Sequence, residues 1–228
     1  MIENEGEEKG VMEFIQLIQS NWDEILMMTW EHIQLVGLSV CVAILIGVPF
    51  GIYISQHETL SNLVLSVAGI LMTIPSIALF GIMIPIFSII NQGIGFLPAF
   101  VALVLYSQLP IIRNTFIAVK NVDPNMRDAA IGMGMTTWQR LIKVEIPITL
   151  PVIMAGIRTA IVLTIGIGAI AAYIGAGGLG EYIQTGISTS YKAMVQVGAV
   201  SVSLMAITID YLLGRLQKRI SPKTAHSK

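Results

Sequence analysis

Asp128-Ala129-Ala130, Gly134 and Val144-Glu145-Ile146-Pro147 mark a short segment that separates two long apolar stretches of the chain. Asp123 and Pro124 come just before it and form a helix start signal. Aspartate caps free backbone N–H groups, and proline fits the first helical position. The apolar residues that follow recur at helical spacing, so one face of this helix is apolar and small. We expect the helix to end at Gly132 and Gly134.

A second helix is predicted directly after this glycine pair. Thr136 followed by Gln139 fits a capping box, in which each of the two side chains satisfies a backbone N–H group of the other residue. Trp138 and Ile142 then lie on one side of the helix, and Pro147 is expected to end it. The sequence therefore predicts a hairpin of two short helices with an apolar face that is suited to docking against another protein.

The composition indicates a membrane protein. The 228-residue chain is 54% hydrophobic and only 12% charged, and its mean hydropathy of +0.78 is above that of ordinary soluble domains. A net charge of −1 gives no reason to expect nucleic-acid binding. The single cysteine, Cys41, lies in an apolar stretch, so we interpret it as a packing residue and not as a nucleophile.

Five stretches are long and apolar enough to cross a bilayer core, which requires about 20 residues. The second and the fourth are long enough to tilt or break, because the second contains Pro75 and Pro85 and the fourth contains Gly166 and Gly168. We therefore predict an all-α polytopic membrane protein with about five transmembrane helices. The predicted spans are residues 33–54, 63–90, 96–112, 148–174 and 193–213.

The two ends of the chain are predicted to lie outside the membrane domain, which covers residues 33–222. Residues 3–9 form an acidic leader that is expected to lack regular structure. Residues 11–32 carry an apolar stripe interrupted by four acidic side chains, a pattern that favours an amphipathic helix lying in the membrane interface. We therefore assign residues 1–32 to this leader and interfacial helix, and residues 223–228 to a short tail.

Lysine and arginine residues set the expected orientation, because they accumulate on the cytoplasmic side of membrane proteins. Ten of the thirteen lie in residues 113–143 or 215–228, and five spans place both segments on the same side. Lys9 and Lys192 fall on the opposite side. The sequence thus predicts a cytoplasmic hairpin and a cytoplasmic tail, with the N-terminus outside.

The hairpin resembles the coupling motif of ABC importer permeases, in which an acidic-Ala-Ala triplet precedes a glycine and then an aliphatic-x-aliphatic-Pro sequence. In that family the loop inserts into a cleft on an ATPase subunit and transmits nucleotide-driven closure to the pore. The resemblance implies this role for residues 121–147; the alternative is an ordinary helical hairpin between spans. The matching residues are Asp128, Ala129, Ala130, Gly134, Val144, Ile146 and Pro147, with aspartate where the family commonly has glutamate.

Other stretches are similar to the permeases of osmoprotectant importers, whose substrates are quaternary amines such as glycine betaine, carnitine and choline. The resemblance covers about residues 30–222. Methionine importers share the five-span plan and the glycine-rich stretch, so the resemblance implies their permease fold and leaves methionine as an alternative substrate. The matching segments are residues 74–79, 106–107, 109–115, 154–160, 175–180 and 209–211.

The resemblance also implies partners and a location. A permease of this family lies in the bacterial inner membrane and works with ABC ATPase subunits, a second identical or homologous permease subunit and an extracytoplasmic substrate-binding protein. No Walker A sequence is present in this chain. We therefore expect the chain to carry no cofactor and the partner ATPase to bind ATP and Mg²⁺.

The glycine-rich stretch Gly175-Ala176-Gly177-Gly178-Leu179-Gly180 formally fits the G-x-G-x-x-G pattern of dinucleotide sites. No strand is predicted before it, and no acidic residue follows at the required spacing of about 20 residues. We therefore interpret Gly175, Gly177, Gly178 and Gly180 as a tight turn at the outer end of the fourth span. A short helix over residues 179–187 is expected to follow.

Two ionisable residues, Arg158 and Asp210, lie within predicted spans, where a charge is costly and often functional. Both are expected in the cytoplasmic half of the membrane, where they would pair across two helices as an ion pair or a gate. The alternative is that Arg158 extends alone to the cytoplasmic interface.

The sequence contains no recognisable catalytic or metal-binding motif. His32, His57 and His226 are scattered and form no H-E-x-x-H zinc motif, and no serine lies in a G-x-S-x-G sequence. A membrane-embedded enzyme would need an acid/base pair, and none is evident in this sequence. A self-sufficient carrier would be expected to contain an inverted repeat, which this sequence also lacks; the carrier or channel therefore stays the weaker alternative. The importer permease is therefore the favoured interpretation, without an assigned substrate-binding residue.

Overall fold

The computed structural model describes residues 2–220, which are almost entirely helical, with no β-strand in that range. The helices are α1 (Ile2–Ser20), α2 (Trp22–Ile54), α3 (Glu58–Thr73), α4 (Ser76–Ser88), α5 (Phe96–Lys120), α6 (Pro124–Gly132), α7 (Thr137–Arg140), α8 (Ile146–Ile170), α9 (Gly180–Ser188) and α10 (Lys192–Ile220). Four helical stretches are long and apolar enough to cross a membrane, or up to five if α3 and α4 form one bent span. The predicted all-α polytopic fold is confirmed.

The second predicted span, residues 63–90, is bent at Pro75. Helices α3 and α4 meet there at an angle of 99°, because the residue before a proline is forced out of the helical conformation. Ile74 accordingly has an extended backbone, with φ −70° and ψ 125°. Pro85, the other residue expected to break the span, lies inside α4 without ending it.

The bend leaves a backbone carbonyl at Ile74 that needs a partner, and Tyr106 of α5 donates its hydroxyl hydrogen bond to that oxygen. We expect Tyr106→Phe to lower the free energy of unfolding by about 1–3 kcal/mol, because it leaves a partly buried carbonyl without a partner. Thermal unfolding of the detergent-solubilised protein measures this change. Tyr53→Phe, at a tyrosine that is 56% exposed, is the matched control, and equal midpoints for the two variants would contradict the assignment.

Helix α5 is the centre of the bundle and packs against α2, α3, α4 and α8. Glycines allow the closest contacts: a Cβ added at Gly51 of α2 would lie 2.7 Å from the Cβ of Thr115, and one at Gly156 of α8 would lie 2.5 Å from the Cβ of Asn114. Such small residues are typical of helix contacts in membranes. The two spans that flank the hairpin, α5 and α8, therefore lie directly against each other.

The bundle has two ends, which we name by the segments they carry. The loop end carries residues 121–147, and the glycine end carries residues 175–191. A backbone hydrogen bond of 2.8 Å from Gly95 to the Ile174 carbonyl joins the start of α5 to the end of the fourth span at the glycine end. At the loop end, Gln217 of α10 donates a 2.9 Å hydrogen bond to the Pro151 carbonyl of α8.

The structure places the boundary of the first membrane helix differently from the sequence prediction. Residues 22–32 are the first turns of α2 and are continuous with the first predicted span, and the acidic leader is helical from Ile2 onwards. Two of the acidic side chains of α2 have tertiary partners: Glu24 accepts a hydrogen bond from Tyr182, and Glu31 accepts one from the Gly178 backbone. Only α1, up to Ser20, is a separate helix.

The C-terminal span is longer than predicted, since α10 continues to Ile220. The predicted tail, residues 223–228, lies outside the described residues, as do two of the basic residues used to predict its side of the membrane, Lys223 and Lys228.

Candidate functional site

The hairpin at the loop end has the two helix starts that the sequence predicts. The carboxylate of Asp123 caps α6, accepting a 2.9 Å hydrogen bond from the Asn125 backbone, and Pro124 is the first helical residue. At α7, the Thr136 hydroxyl accepts from the Gln139 backbone at 3.3 Å, and the Gln139 side chain accepts from the Thr136 backbone at 3.0 Å. The predicted capping box is confirmed, and both helices therefore begin at fixed positions.

Gly134 makes the turn between α6 and α7. Its φ of +76° is in the left-handed region that favours glycine. Its N–H donates to the Ile131 carbonyl at 2.8 Å, and the next N–H, of Met135, donates to the Ala130 carbonyl at 3.2 Å. This is the Schellman arrangement of helix ends. Gly132, by contrast, is the last residue of α6 and has no positive φ.

The hairpin exposes several large apolar side chains. Met133 and Trp138 are each 68% exposed, and Ile131 and Met126 are about half exposed. Exposed apolar side chains concentrated in one short segment are typical of a protein-binding surface. Of the remaining motif residues, Asp128, Ala129 and Pro147 are exposed, Ala130 is buried, and Val144 and Ile146 are partly buried.

Pro147 does not end the second helix of the hairpin, contrary to the sequence prediction. The chain passes from α7 through one turn of π-helix, Leu141–Glu145, directly into α8, with the Ile146 N–H bonded to the Leu141 carbonyl. A proline without an N–H is accommodated here because the wider turn removes the need for the missing α-helical hydrogen bond. The hairpin is therefore continuous with the fourth span.

Glu145 is the residue that sequence analysis overlooked. Its side chain is only 1% exposed. It accepts a hydrogen bond of 2.7 Å from Arg140 Nε and one of 3.3 Å from a terminal guanidinium nitrogen of Arg127. Arg127 also donates to the Val119 carbonyl at the end of α5, at 2.5 Å. We call these three side chains the Glu145 clasp. The sequence contains one indication of its importance, because Glu145 is the only acidic residue between positions 129 and 180.

Arg158 and Asp210 lie together, on α8 and α10 respectively. Arg158 Nε donates to one carboxylate oxygen of Asp210, and a terminal nitrogen donates to the other at 2.5 Å. The two side chains are each 37% exposed and line an open cavity of about 360 Å³. Gly214 makes room for the pair, since a Cβ there would lie 3.1 Å from the guanidinium. This geometry is a bidentate ion pair, the strongest form of arginine–carboxylate contact.

The glycine-rich stretch forms a turn at the glycine end. Gly175, Gly177 and Gly178 all have positive φ, and Gly180 begins the short helix α9. The carboxylate of Glu31 accepts a 3.1 Å hydrogen bond from the Gly178 N–H and so holds the turn against α2.

Glu181 of α9 faces the same region. Burial raises the pKa of the Glu181 carboxyl, and the nearby carboxylates of Glu31 and Glu24 raise it further. No group of three or more His, Cys, Asp or Glu side chains within the described part of the chain is arranged to hold a metal ion.

Comparison with known proteins identifies the family. Residues 43–226 match the model of the binding-protein-dependent transport system inner membrane component. The osmoprotectant import permease protein OsmW of Salmonella typhimurium is 52% identical over 93% of this chain and 99% of its own length. The carnitine transport permease protein OpuCB of Listeria monocytogenes is 40% identical over 92% of this chain and 94% of its own length. The glycine betaine/carnitine/choline transport system permease protein OpuCB of Bacillus subtilis is 37% identical over 92% of this chain and 95% of its own length.

Solved structures show the same fold. An inward-facing structure of the MetNI methionine ABC transporter contains a chain that superposes with a TM-score of 0.77 at 24% identity, covering 87% of this chain and 96% of that one. A chain of an amino acid ABC transporter superposes with a TM-score of 0.75 at 18% identity. With its membrane-spanning helices and its match over most of its length, this protein belongs to the binding-protein-dependent transport system inner membrane components, the permease subunits of ABC importers.

Proposed function

We propose that this permease imports a quaternary-amine osmoprotectant of the glycine betaine, carnitine and choline class. The observation that carries the proposal is the 52% identity to an osmoprotectant import permease over nearly the whole of both chains. Further relatives at 37–40% identity have names that specify carnitine, choline or glycine betaine. The similarity to the methionine transporter is at 24% identity and supports the fold alone.

The proposal includes a division of labour between subunits. A separate ATPase binds ATP and Mg²⁺ and docks on the exposed apolar surface of the hairpin, where an apolar helix face fits a groove of a partner. A second permease subunit completes the translocation path, and a binding protein delivers the substrate at the glycine end. The family description, a binding-protein-dependent component of the inner membrane, supports this assembly.

The proposed assembly requires the loop end to face the cytoplasm and the N-terminus to face outward. In a Cys41→Ser background, we expect Thr189→Cys, in an exposed position after α9, to react with a membrane-impermeant thiol reagent added to intact cells. Asn125→Cys, exposed on α6, should react only after the membrane is opened, since it lies beside the basic residues that set the cytoplasmic side. Labelling of Asn125→Cys in intact cells would overturn the orientation.

The substrate class is tested by direct uptake. The complete transporter is expressed in cells that lack other uptake routes for these compounds, and uptake of labelled glycine betaine, carnitine, choline and methionine is measured separately. We expect uptake of at least one of the quaternary amines and no uptake of methionine. Uptake of methionine, with no uptake of any quaternary amine, would refute the assignment.

A further inference from the structure

Glu145 lies at an unusual position for a carboxylate. Of the side chains that the structure describes, it is the acidic one with essentially no exposed surface, and it lies at the start of a membrane span. Removing a carboxylate from water is strongly unfavourable unless well-placed cationic partners surround it. Arg140 and Arg127 supply those partners, one on each carboxylate oxygen. Such an arrangement fixes positions more than it adds stability, since apolar residues of similar volume often stabilise as well.

The Glu145 clasp joins the hairpin to the two spans that flank it. Arg140 ends α7, Arg127 lies in the middle of α6, and Glu145 immediately precedes α8. Through its second hydrogen bond, to the Val119 carbonyl, Arg127 also holds the end of α5. The backbone of Glu145 is itself held, because its carbonyl accepts a 2.9 Å hydrogen bond from Thr149. One carboxylate thus connects both hairpin helices to both flanking spans.

Apolar packing offers few other connections between the hairpin and the spans. Helix α6 buries a single residue, Ala130, and α7 buries none. The large apolar side chains of these two helices, Met126, Ile131 and Trp138, are instead exposed. Without the clasp, α6 would be tied to the bundle mainly through the covalent chain, whereas α7 would remain continuous with α8 through the π-helical turn.

We propose that Glu145 is the positioning residue that makes the hairpin move as one rigid unit with α5 and α8. This inference rests on the proposed function, in which an ATPase displaces the hairpin. A push on the exposed apolar surface then passes through the two arginines to Glu145 and from there into both spans. With the clasp broken, the ATPase still docks and hydrolyses ATP, but α6 pivots relative to α8 and its displacement no longer moves the two spans together.

The test uses the complete transporter in proteoliposomes, with uptake and ATP hydrolysis measured together. Glu145→Gln keeps the volume of the side chain but removes its charge. We expect ATPase subunits to remain bound and basal hydrolysis to persist, while substrate imported per ATP hydrolysed falls by about tenfold, a change that corresponds to ~1.4 kcal/mol. Glu13→Gln, the same substitution on the exposed face of α1, is the matched control and should leave that ratio unchanged.

A second variant guards against a folding defect. Arg140→Gln breaks the same contact from a side chain that is partly exposed, and it should lower the ratio in the same direction. The double variant should be less impaired than the sum of the two single effects, since the two residues act through one contact. Loss of ATPase subunits from both single variants would overturn the proposal, because Glu145 would then serve docking or folding.

Rigidity is measured directly with spin labels at Asn125→Cys on α6 and Leu163→Cys on α8, in a Cys41→Ser background. We expect a narrow distance distribution that becomes broad in Glu145→Gln. A transporter that imports normally per ATP, and keeps a narrow distribution after Glu145→Gln, would refute the inference. Absence of ATP-dependent uptake in the parent transporter would instead refute the proposed function.

Discussion

Replacing Gly134 with valine is expected to abolish import while leaving the membrane helices intact. The residue has a φ of +76°, and a β-branched side chain in this conformation costs about 1–2 kcal/mol. A Cβ at Gly134 would meet no atom within 4 Å, so backbone strain is the direct effect of the substitution. The turn between α6 and α7 should distort, moving Met133 and Trp138 away from the position that an ATPase groove requires. Uptake and substrate-stimulated ATP hydrolysis measure the loss.

Gly132→Val is the matched control, because it adds the same side chain two residues earlier, also in open space, but at a residue without a positive φ. We expect this variant to retain most of its uptake and both variants to insert in the membrane at equal levels. Normal uptake with Gly134→Val would contradict the assignment of the hairpin as the point where ATPase movement enters this chain.

The Arg158–Asp210 pair is expected to give the second large effect. Asp210→Asn leaves an arginine without its partner inside a span, and Arg158→Gln leaves an unpaired carboxylate there, which membrane helices tolerate poorly. Each single variant should lose thermal stability and uptake. Both substitutions remove the same bidentate contact. The double variant should therefore be less impaired than the sum of the single effects.

A double-mutant cycle separates the two roles of this pair. Thermal unfolding reports its structural contribution, and uptake at equal membrane levels reports any part in gating. Gln217→Ala provides a control for the same helix contact, because it removes a hydrogen bond between α10 and α8 that is independent of the ion pair. Additive single effects in the cycle would reject a functional pair.

The features of the hairpin that were predictable from the sequence depend on neighbours in the chain. The Asp123 cap and the Thr136–Gln139 capping box each join residues two or three positions apart, and the positive φ of Gly134 follows from the helix end that surrounds it. Physical rules for helix ends need no tertiary structure. The apolar spans were predictable for a similar reason, since a bilayer core demands about 20 apolar residues in succession.

The features that sequence analysis overlooked depend on distant partners. The assignment of residues 22–32 to an interfacial helix followed from acidic side chains whose partners, at Tyr182 and Gly178, lie about 150 positions away. Glu145 was overlooked because Arg140, five positions before it, comes within reach through the π-helical turn, and Arg127, 18 positions before it, through the fold of the hairpin. Pro147 was expected to end a helix, whereas a π-helical turn accommodates it. In each case a tertiary contact or a rare backbone geometry outweighed the local rule.

The structure suggests one continuous route from the exposed surface of the hairpin to the membrane domain. The Glu145 clasp joins the hairpin to α5 and α8, which pack along each other and share a 2.9 Å hydrogen bond between Ser107 and Thr164. Helix α8 in turn carries Arg158, whose partner lies on α10. Each step is a contact between packed elements, and chains of such contacts can carry energetic coupling between distant sites.

The central claim is that ATP hydrolysis by a partner drives a quaternary amine inward through this chain, and its most direct test is accumulation in proteoliposomes. The complete transporter is reconstituted with ATP inside and with binding protein and labelled glycine betaine outside. We predict that glycine betaine accumulates inside above its outside concentration, and only when both ATP and the binding protein are present. Equilibration of glycine betaine across the membrane without ATP would contradict the account and identify a channel or carrier instead.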